Sequence, residues 1–376
     1  MTTAELLKNY FFGRYQKDLY TQYWLDIFEK DEETKAYWDK EIMTGRYRRT
    51  FVDLFFFSFL QIKTQDDSYG VRNEDKILFS RVDKLFDSYK RFIKTYCNND
   101  RSVLLAEIRE YAQVFRQTFD PEVVNEELPS AAGIERINAV IFSMETSTLI
   151  PYILFVEKNA SDDATKNDLY AFIETYIMRR LITRANTRNY NQLFTDRLIM
   201  HRVLSKQQFI AYLEKQDDTV NYLPDDTQLH DAFVHSVLTN KQAAGILYMI
   251  ESKARDHRKH STALLGINKY SLEHLMPKKW PNYWGMLDSK QAIEDRNRKL
   301  LTLGNLAIIT QALNASIRDA DWETKKSGRG NKSGLRKYGE GIETISPYLD
   351  LAKWDEVAID SRAEDLYQKA LAAWDV

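Results

Sequence analysis

Apolar residues return at three- and four-residue spacing from the start of the chain to about residue 255, and there the period stops. Leu6, Leu7, Tyr10 and Phe11 begin it; Tyr20, Tyr23, Trp24, Ile27 and Phe28 carry it on. A stripe of this kind lets a helix bury one face and wet the other, so it commits the segment to packed helices. Backbone breakers are rare enough to agree, with 13 Gly and 7 Pro in 376 residues. Phe51 to Gln61 is expected to be a core helix, and Asp120-Pro121 to end a helix begun near Arg101. Pro151 marks a break or the first turn of a new helix, and Ser161-Asp162-Asp163 caps a helix reaching Leu181. Residues 1–255 thus read as an all-helical scaffold.

The character changes after Arg255. Tyr270 to Leu275 and Leu301 to Thr310 are strand-like, Gln311 to Ile317 reads as a short helix, and Ser327 to Gly334 as a flexible basic loop. Helices from Ile345 onward close the chain, so a second domain is expected over 256–376. The charge shifts at the same place. Lys253 to Lys337 holds 18 Lys/Arg against 8 Asp/Glu, while the rest of the chain holds 35 against 47. A basic segment in an acidic protein suits a polyanion, although a solvated basic helix face has the same composition. The single cysteine, Cys97, excludes a disulfide framework and a cysteine-based zinc site, and points to a reducing cytoplasm. The longest apolar run, Phe51 to Ile62, contains Asp53 and is too short to span a bilayer, so no membrane partner is expected.

Chemistry gathers in Tyr270-Ser271-Leu272-Glu273-His274-Leu275-Met276-Pro277, read with Gly304-Asn305-Leu306 and Asn314. Hydrolysis of a phosphodiester needs a base to activate water and a positive centre for the charge that develops. A neutral imidazole at His274 suits the first task. A divalent ion held by oxygen donors suits the second, and Glu273 with the amide oxygen of Asn314 offers them. Adjacent strand residues point to opposite faces, so Glu273 and His274 can share a site only where the strand ends, as Pro277 implies. Asn305 is expected to orient the imidazole through its side-chain or backbone carbonyl. Lys325 and Lys326, with Arg329 and Lys332 in the glycine-rich loop, are placed to hold phosphates. His257 and His260 sit in a basic run and read as solvated surface, while Trp280 and Trp284 read as core.

This order of groups resembles the His-Me finger (HNH) ββα-metal nucleases, in the version found in the C-terminal domain of GmrSD-type, modification-dependent restriction endonucleases. Glu273-His274-Leu275-Met276-Pro277, Trp280, Leu303-Gly304-Asn305-Leu306, Asn314 and Lys325 stand at the family's motif positions, with Leu275 where Ile is usual. The segments Leu6–Tyr10, Glu174–Arg180, Thr187–Asn191 and the tail from Trp354 to Trp374 are similar as well. The resemblance implies a mainly helical fold with a small α+β insert: a multi-helix region, a ββα-metal core and closing helices. It implies His274 as general base, Asn305 as its orienting partner, Glu273 and Asn314 as ligands of Mg²⁺ or Mn²⁺, and double-stranded, foreign or modified DNA as substrate. No Asp-Gly-Gln-Gln-Arg-like element occurs, so no NTP site is expected in this chain. A ParB-like NTPase domain or subunit is the expected partner, and the oligomeric state stays open. Two rival readings remain: a catalytically inactive helical module that binds DNA or a partner, and a ribonuclease.

Overall fold

The computed structural model describes residues 2–13, 16–45, 47–215, 220–255, 263–339 and 341–376; His257 and His260 lie outside them. The architecture is mostly helical, with three two-stranded antiparallel sheets among the described residues. The chain divides into two compact units. One comprises Met1–Asp120, Glu145–Leu169 and Thr187–Asp217, the other Pro121–Met144, Tyr170–Asn186 and Asp218–Val376. The second unit therefore draws in helical segments from before residue 255 as well as everything described after it.

The first unit carries a hairpin, β1 (Glu41–Thr44) with β2 (Tyr47–Thr50), that runs directly into α1 (Phe51–Thr64). Thr50 caps α1, its hydroxyl accepting from the Asp53 amide at 3.3 Å. Every residue from Leu54 to Thr64 is buried, because a helix that is apolar on all sides has no face to give to water. Helices α2 (Leu105–Thr118) and α3 (Ile150–Asn159) enclose it. Trp38 stacks on Phe115 of α2 at 5.5 Å between ring centres, and Phe55 meets the same ring edge-on at 5.7 Å. Pro151 sits in the first turn of α3, where its missing N–H costs nothing.

The long helix α4 (Asp163–Ile182) is capped by Asp162, which accepts from the Thr165 amide at 2.8 Å. Its residues from Tyr170 on belong to the second unit. There Glu174 forms a fully buried two-pronged pair with Arg136, both contacts at 2.7 Å, and accepts from the Trp374 indole at 2.9 Å. The guanidinium also donates to the Pro129 carbonyl at 2.7 Å and the Ser252 hydroxyl at 3.0 Å, bonds that help to offset the cost of burying the two charges. Arg179 and Arg180, also buried, reach Trp374, Tyr222, Asn186 and Val220 carbonyls and act as scaffold. Helices α5 (Asp226–His235) and α6 (Asn240–Ala254) each begin with a capping box.

Helix α6 supports the antiparallel pair β3 (Tyr270–His274) and β4 (Leu306–Thr310), in which Glu273 faces Ala307 and His274 faces Leu306. Between these strands lies α7 (Lys290–Lys299), capped by Ser289 and not foreseen from the sequence. After β4 come α8 (Gln311–Ile317), capped by Thr310, and α9 (Trp322–Ser327), capped by Asp321. The segment Ser327 to Gly334 is not an open loop. It forms the hairpin β5 (Gly328–Arg329) with β6 (Lys332–Ser333), with Gly328 at φ +98° and Gly330 at φ +58°, a region closed to most side chains. The closing helix α10 (Glu356–Ala373) packs on the turn before β4.

That turn explains why β4 starts at Leu306 instead of Leu301. Residues Leu303–Asn305 form a single helical turn, and the buried Arg362 of α10 collects carbonyls from it and from the first strand residue: Leu303 at 3.1 Å, Gly304 at 2.9 Å and Leu306 at 2.7 Å. The same guanidinium bonds the Thr344 carbonyl at 2.8 Å, while Glu251 of α6 receives the amides of Glu343 and Thr344 at 2.8 and 2.9 Å. Gly304 is the residue that permits this closeness, since a Cβ there would lie 2.3 Å from the Ile359 carbonyl oxygen. Gly304→Ala is accordingly expected to lower stability by about 1–3 kcal/mol, the usual cost of forcing atoms into a packed interior. Urea unfolding monitored by circular dichroism measures it, and an unchanged midpoint would contradict the packing.

Candidate functional site

Glu273, His274, Pro277, Lys278, Lys279, Asn314, Arg318, Asp319 and Lys325 line one cleft of about 470 Å³ in the second unit. Strand β3 delivers Glu273 and His274 at its last two positions, where the ladder to β4 gives way to the Asn305 turn. Helix α8 delivers Asn314 across the strand pair. Its amide nitrogen donates to the Ser271 hydroxyl at 3.0 Å and the Leu272 carbonyl at 3.1 Å. With the nitrogen so fixed, the amide oxygen is left as the free end of the group.

His274 is half-buried and its ring makes no hydrogen bond among the described residues. Burial lowers its pKa to about 4, helped by the Lys278 and Lys325 ammonium groups and opposed by Asp319. The imidazole is therefore neutral at ordinary pH and able to accept a proton. Glu273 is buried, and its carboxylate pairs with the Lys325 ammonium, which also donates to the His274 carbonyl at 2.7 Å. Burial pushes the Glu273 carboxyl up and the Lys325 ammonium down, and their mutual attraction offsets part of each.

The other expected residues fall elsewhere. Asn305 is fully buried, and its side chain is committed on every side. It accepts from the Met276 amide and the Trp354 indole, both at 2.9 Å, and donates to the Met276 carbonyl at 2.9 Å and the Leu300 carbonyl at 3.0 Å. Its backbone carbonyl receives the Leu275 amide at 3.0 Å. None of these bonds goes to the imidazole: Asn305 fixes the main chain that follows His274 and leaves the ring alone. Lys326 is buried on the other side of α9, donating to the Leu351 carbonyl at 2.9 Å and pairing with Glu323 at 3.0 Å. Arg329 and Lys332 face each other, exposed, on the β5–β6 hairpin and do not line the cleft. Trp280 is core, its indole donating to Asn297 at 2.8 Å with Arg296 over its ring.

The cleft also holds residues that the sequence did not single out. Lys278 and Lys279 are exposed beside it, and the basic pair directly after Pro277 was the available signal. Arg318 ends α8 at φ +42°, strained for a residue with a side chain, and its guanidinium bonds only the Ala315 carbonyl among the described residues. Asp319 brings a second carboxylate.

Oxygen donors of this kind suit a small divalent cation. Neither the Asn314 amide oxygen nor the second Glu273 oxygen accepts a hydrogen bond among the described residues, and Asp319 is exposed nearby. No group of three or more His, Cys, Asp or Glu side chains that could hold an ion occurs among those residues, so a cation here would depend on the Asn314 amide. A neutral imidazole beside hard oxygen donors, under a rim of Lys and Arg, is equipment for proton abstraction next to an anion.

Comparison with known families meets this geometry. Residues 223–369 match the family model described as GmrSD restriction endonucleases, C-terminal domain. The match covers about two fifths of the chain, lies within the second unit and takes in every residue of the cleft. It supports a nuclease role in restriction for that segment; Leu6–Tyr10, Glu174–Arg180 and Thr187–Asn191 fall outside it. No curated protein matches the chain. Among the described residues no helix is long and apolar enough to cross a membrane.

Two measurements check the site. Asn305→Ala leaves several buried donors and acceptors unanswered and is expected to destabilise the fold by roughly 2–5 kcal/mol in denaturant unfolding; a normal unfolding curve with lost activity would return Asn305 to the chemistry. The His274 ring should titrate at about 4 by NMR, below its ordinary 6.5. The unfolded chain then takes up that proton first, so the ring's share of stability is present above about pH 6.5 and is lost as pH falls through 4. A ring midpoint near 6.5 would refute the burial argument.

Proposed function

We propose that this chain is a metal-dependent DNA endonuclease or nickase of His-Me finger type. On this reading it is the effector half of a modification-dependent, anti-phage restriction system. The observation that carries the proposal is the convergence of Glu273, a neutral His274 and Asn314 on one cation-rimmed cleft, inside the span that matches the GmrSD C-terminal domain. β3, β4 and α8 would then be the ββα core.

His274 takes the proton from an attacking water, and its depressed basicity keeps the ring free to do so across the neutral range. Glu273 and Asn314 would hold Mg²⁺ or Mn²⁺. Bound there, the ion would offset charge building on the phosphate and the leaving oxygen. Lys278, Lys279 and Arg318 draw the phosphate backbone to the cleft, a contribution to affinity without sequence information. Asn305 holds residues 275 and 276, and through them the strand end from which the base projects. Recognition of modified, foreign double-stranded DNA is assigned to a ParB-like NTPase domain or subunit, and the chain itself to cutting.

Supercoiled plasmid incubated with Mg²⁺ or Mn²⁺ is expected to be nicked or linearised. His274→Ala should slow this by about 100-fold or more, the usual worth of a positioned base. Asn314→Ala should raise the metal concentration needed while leaving the unfolding midpoint nearly unchanged. Cleavage by His274→Ala at the wild-type rate would remove the base from the mechanism, and RNA degraded in preference to DNA would redirect the substrate.

A further inference from the structure

Lys325 has none of the freedom that a phosphate-gathering lysine needs. Its side chain is 1% exposed and reaches inward from α9 to the Glu273 carboxylate and the His274 carbonyl. Its neighbour Lys326 leaves the cleft altogether for Leu351 and Glu323. The cations that face solvent at the cleft are Lys278, Lys279 and Arg318. A buried carboxylate such as Glu273, 7% exposed at its side chain, is stable only with a compensating positive charge. In this structure that charge is the ammonium.

We propose that Lys325 is an internal counter-ion that holds Glu273 in the metal-free protein and gives way to the divalent ion when it binds. The inference rests on the metal reading above and adds a competition to it. An ammonium and a divalent cation both seated on the Glu273 carboxylate would repel each other strongly at such short range. One must withdraw, and the flexible four-carbon stem of lysine allows the ammonium to do so. Departure also frees the His274 carbonyl, so the exchange is felt at the strand end beneath the base. The apparent metal affinity is thereby set partly by Lys325, and the charge of the carboxylate is matched in both states.

Isothermal titration of Mn²⁺ into the full chain and into Lys325→Met tests the exchange. Removal of the competing ammonium is expected to tighten Mn²⁺ binding by about tenfold or more, and to make the melting temperature of the variant depend more strongly on Mn²⁺ than that of the wild type. Glu273→Gln should abolish binding in both backgrounds. Should Lys325→Met fold poorly, the wild-type chain answers alone through lysine acetylation followed by mass spectrometry. Lys325 should be protected in EDTA and become reactive with saturating Mg²⁺. Unchanged or weaker Mn²⁺ binding by Lys325→Met, or a Lys325 that stays protected with metal bound, overturns the exchange and leaves the nuclease reading standing. If no Mn²⁺ binds to any variant, the metal reading and the exchange fall together.

Discussion

Four main-chain carbonyls converge on one buried guanidinium, that of Arg362, and the second unit is arranged around this contact. Two of them belong to the turn before β4, one to Leu306 at the start of that strand, and the fourth to Thr344, whose amide is held in turn by Glu251. The planar fork of arginine can serve several acceptors at once from a fixed direction, which a lysine cannot do. Burial lowers its pKa only to about 10, so the charge that attracts the carbonyls survives at neutral pH. The turn so fixed carries Gly304 against α10 and Asn305 beneath Met276, and the placement of His274 descends from both.

Electrostatics in the cleft follow from two opposing demands. A basic rim gathers an anion, yet every ammonium near the imidazole makes protonating it harder. On the proposed reading the demands agree, because a proton acceptor has to start out neutral. Glu273 would lose its charge to burial without a partner, and Lys325 supplies one from inside the fold. Asp319, the exposed carboxylate, tempers the field at Glu273, His274 and Lys325 together.

Much of this was legible before any coordinates. Helical periodicity located α1, α3 and α4, and α8 spans the same residues that its pattern indicated. Glu273, His274 and Asn314 were picked out by residue type and order, and the fold brings them to one cleft. Asn305 misled for a physical reason. An asparagine that orients a ring and one that ties down a turn carry the same letters around them; the bonds to Met276, Leu300 and the Trp354 indole, 49 residues away, tell them apart. Lys325 and Lys326 read as phosphate-holding side chains; their burial depends on partners that no local pattern encodes, one of them 52 positions upstream. The β5–β6 hairpin hid behind glycines that suit an open loop equally well.

The groups that square up the strand end arrive late in the chain. Trp354 lies 49 residues beyond Asn305, and Arg362 lies 58 beyond Gly304. A ribosome delivers a protein from its beginning, and earlier domains settle first. Throughout that interval the strands and the histidine already exist as polymer, but the turn between them lacks the indole and the guanidinium that complete its bonds. The cleft thus waits on its latest-made neighbours, and a chain broken off before residue 354 lacks both of these supports.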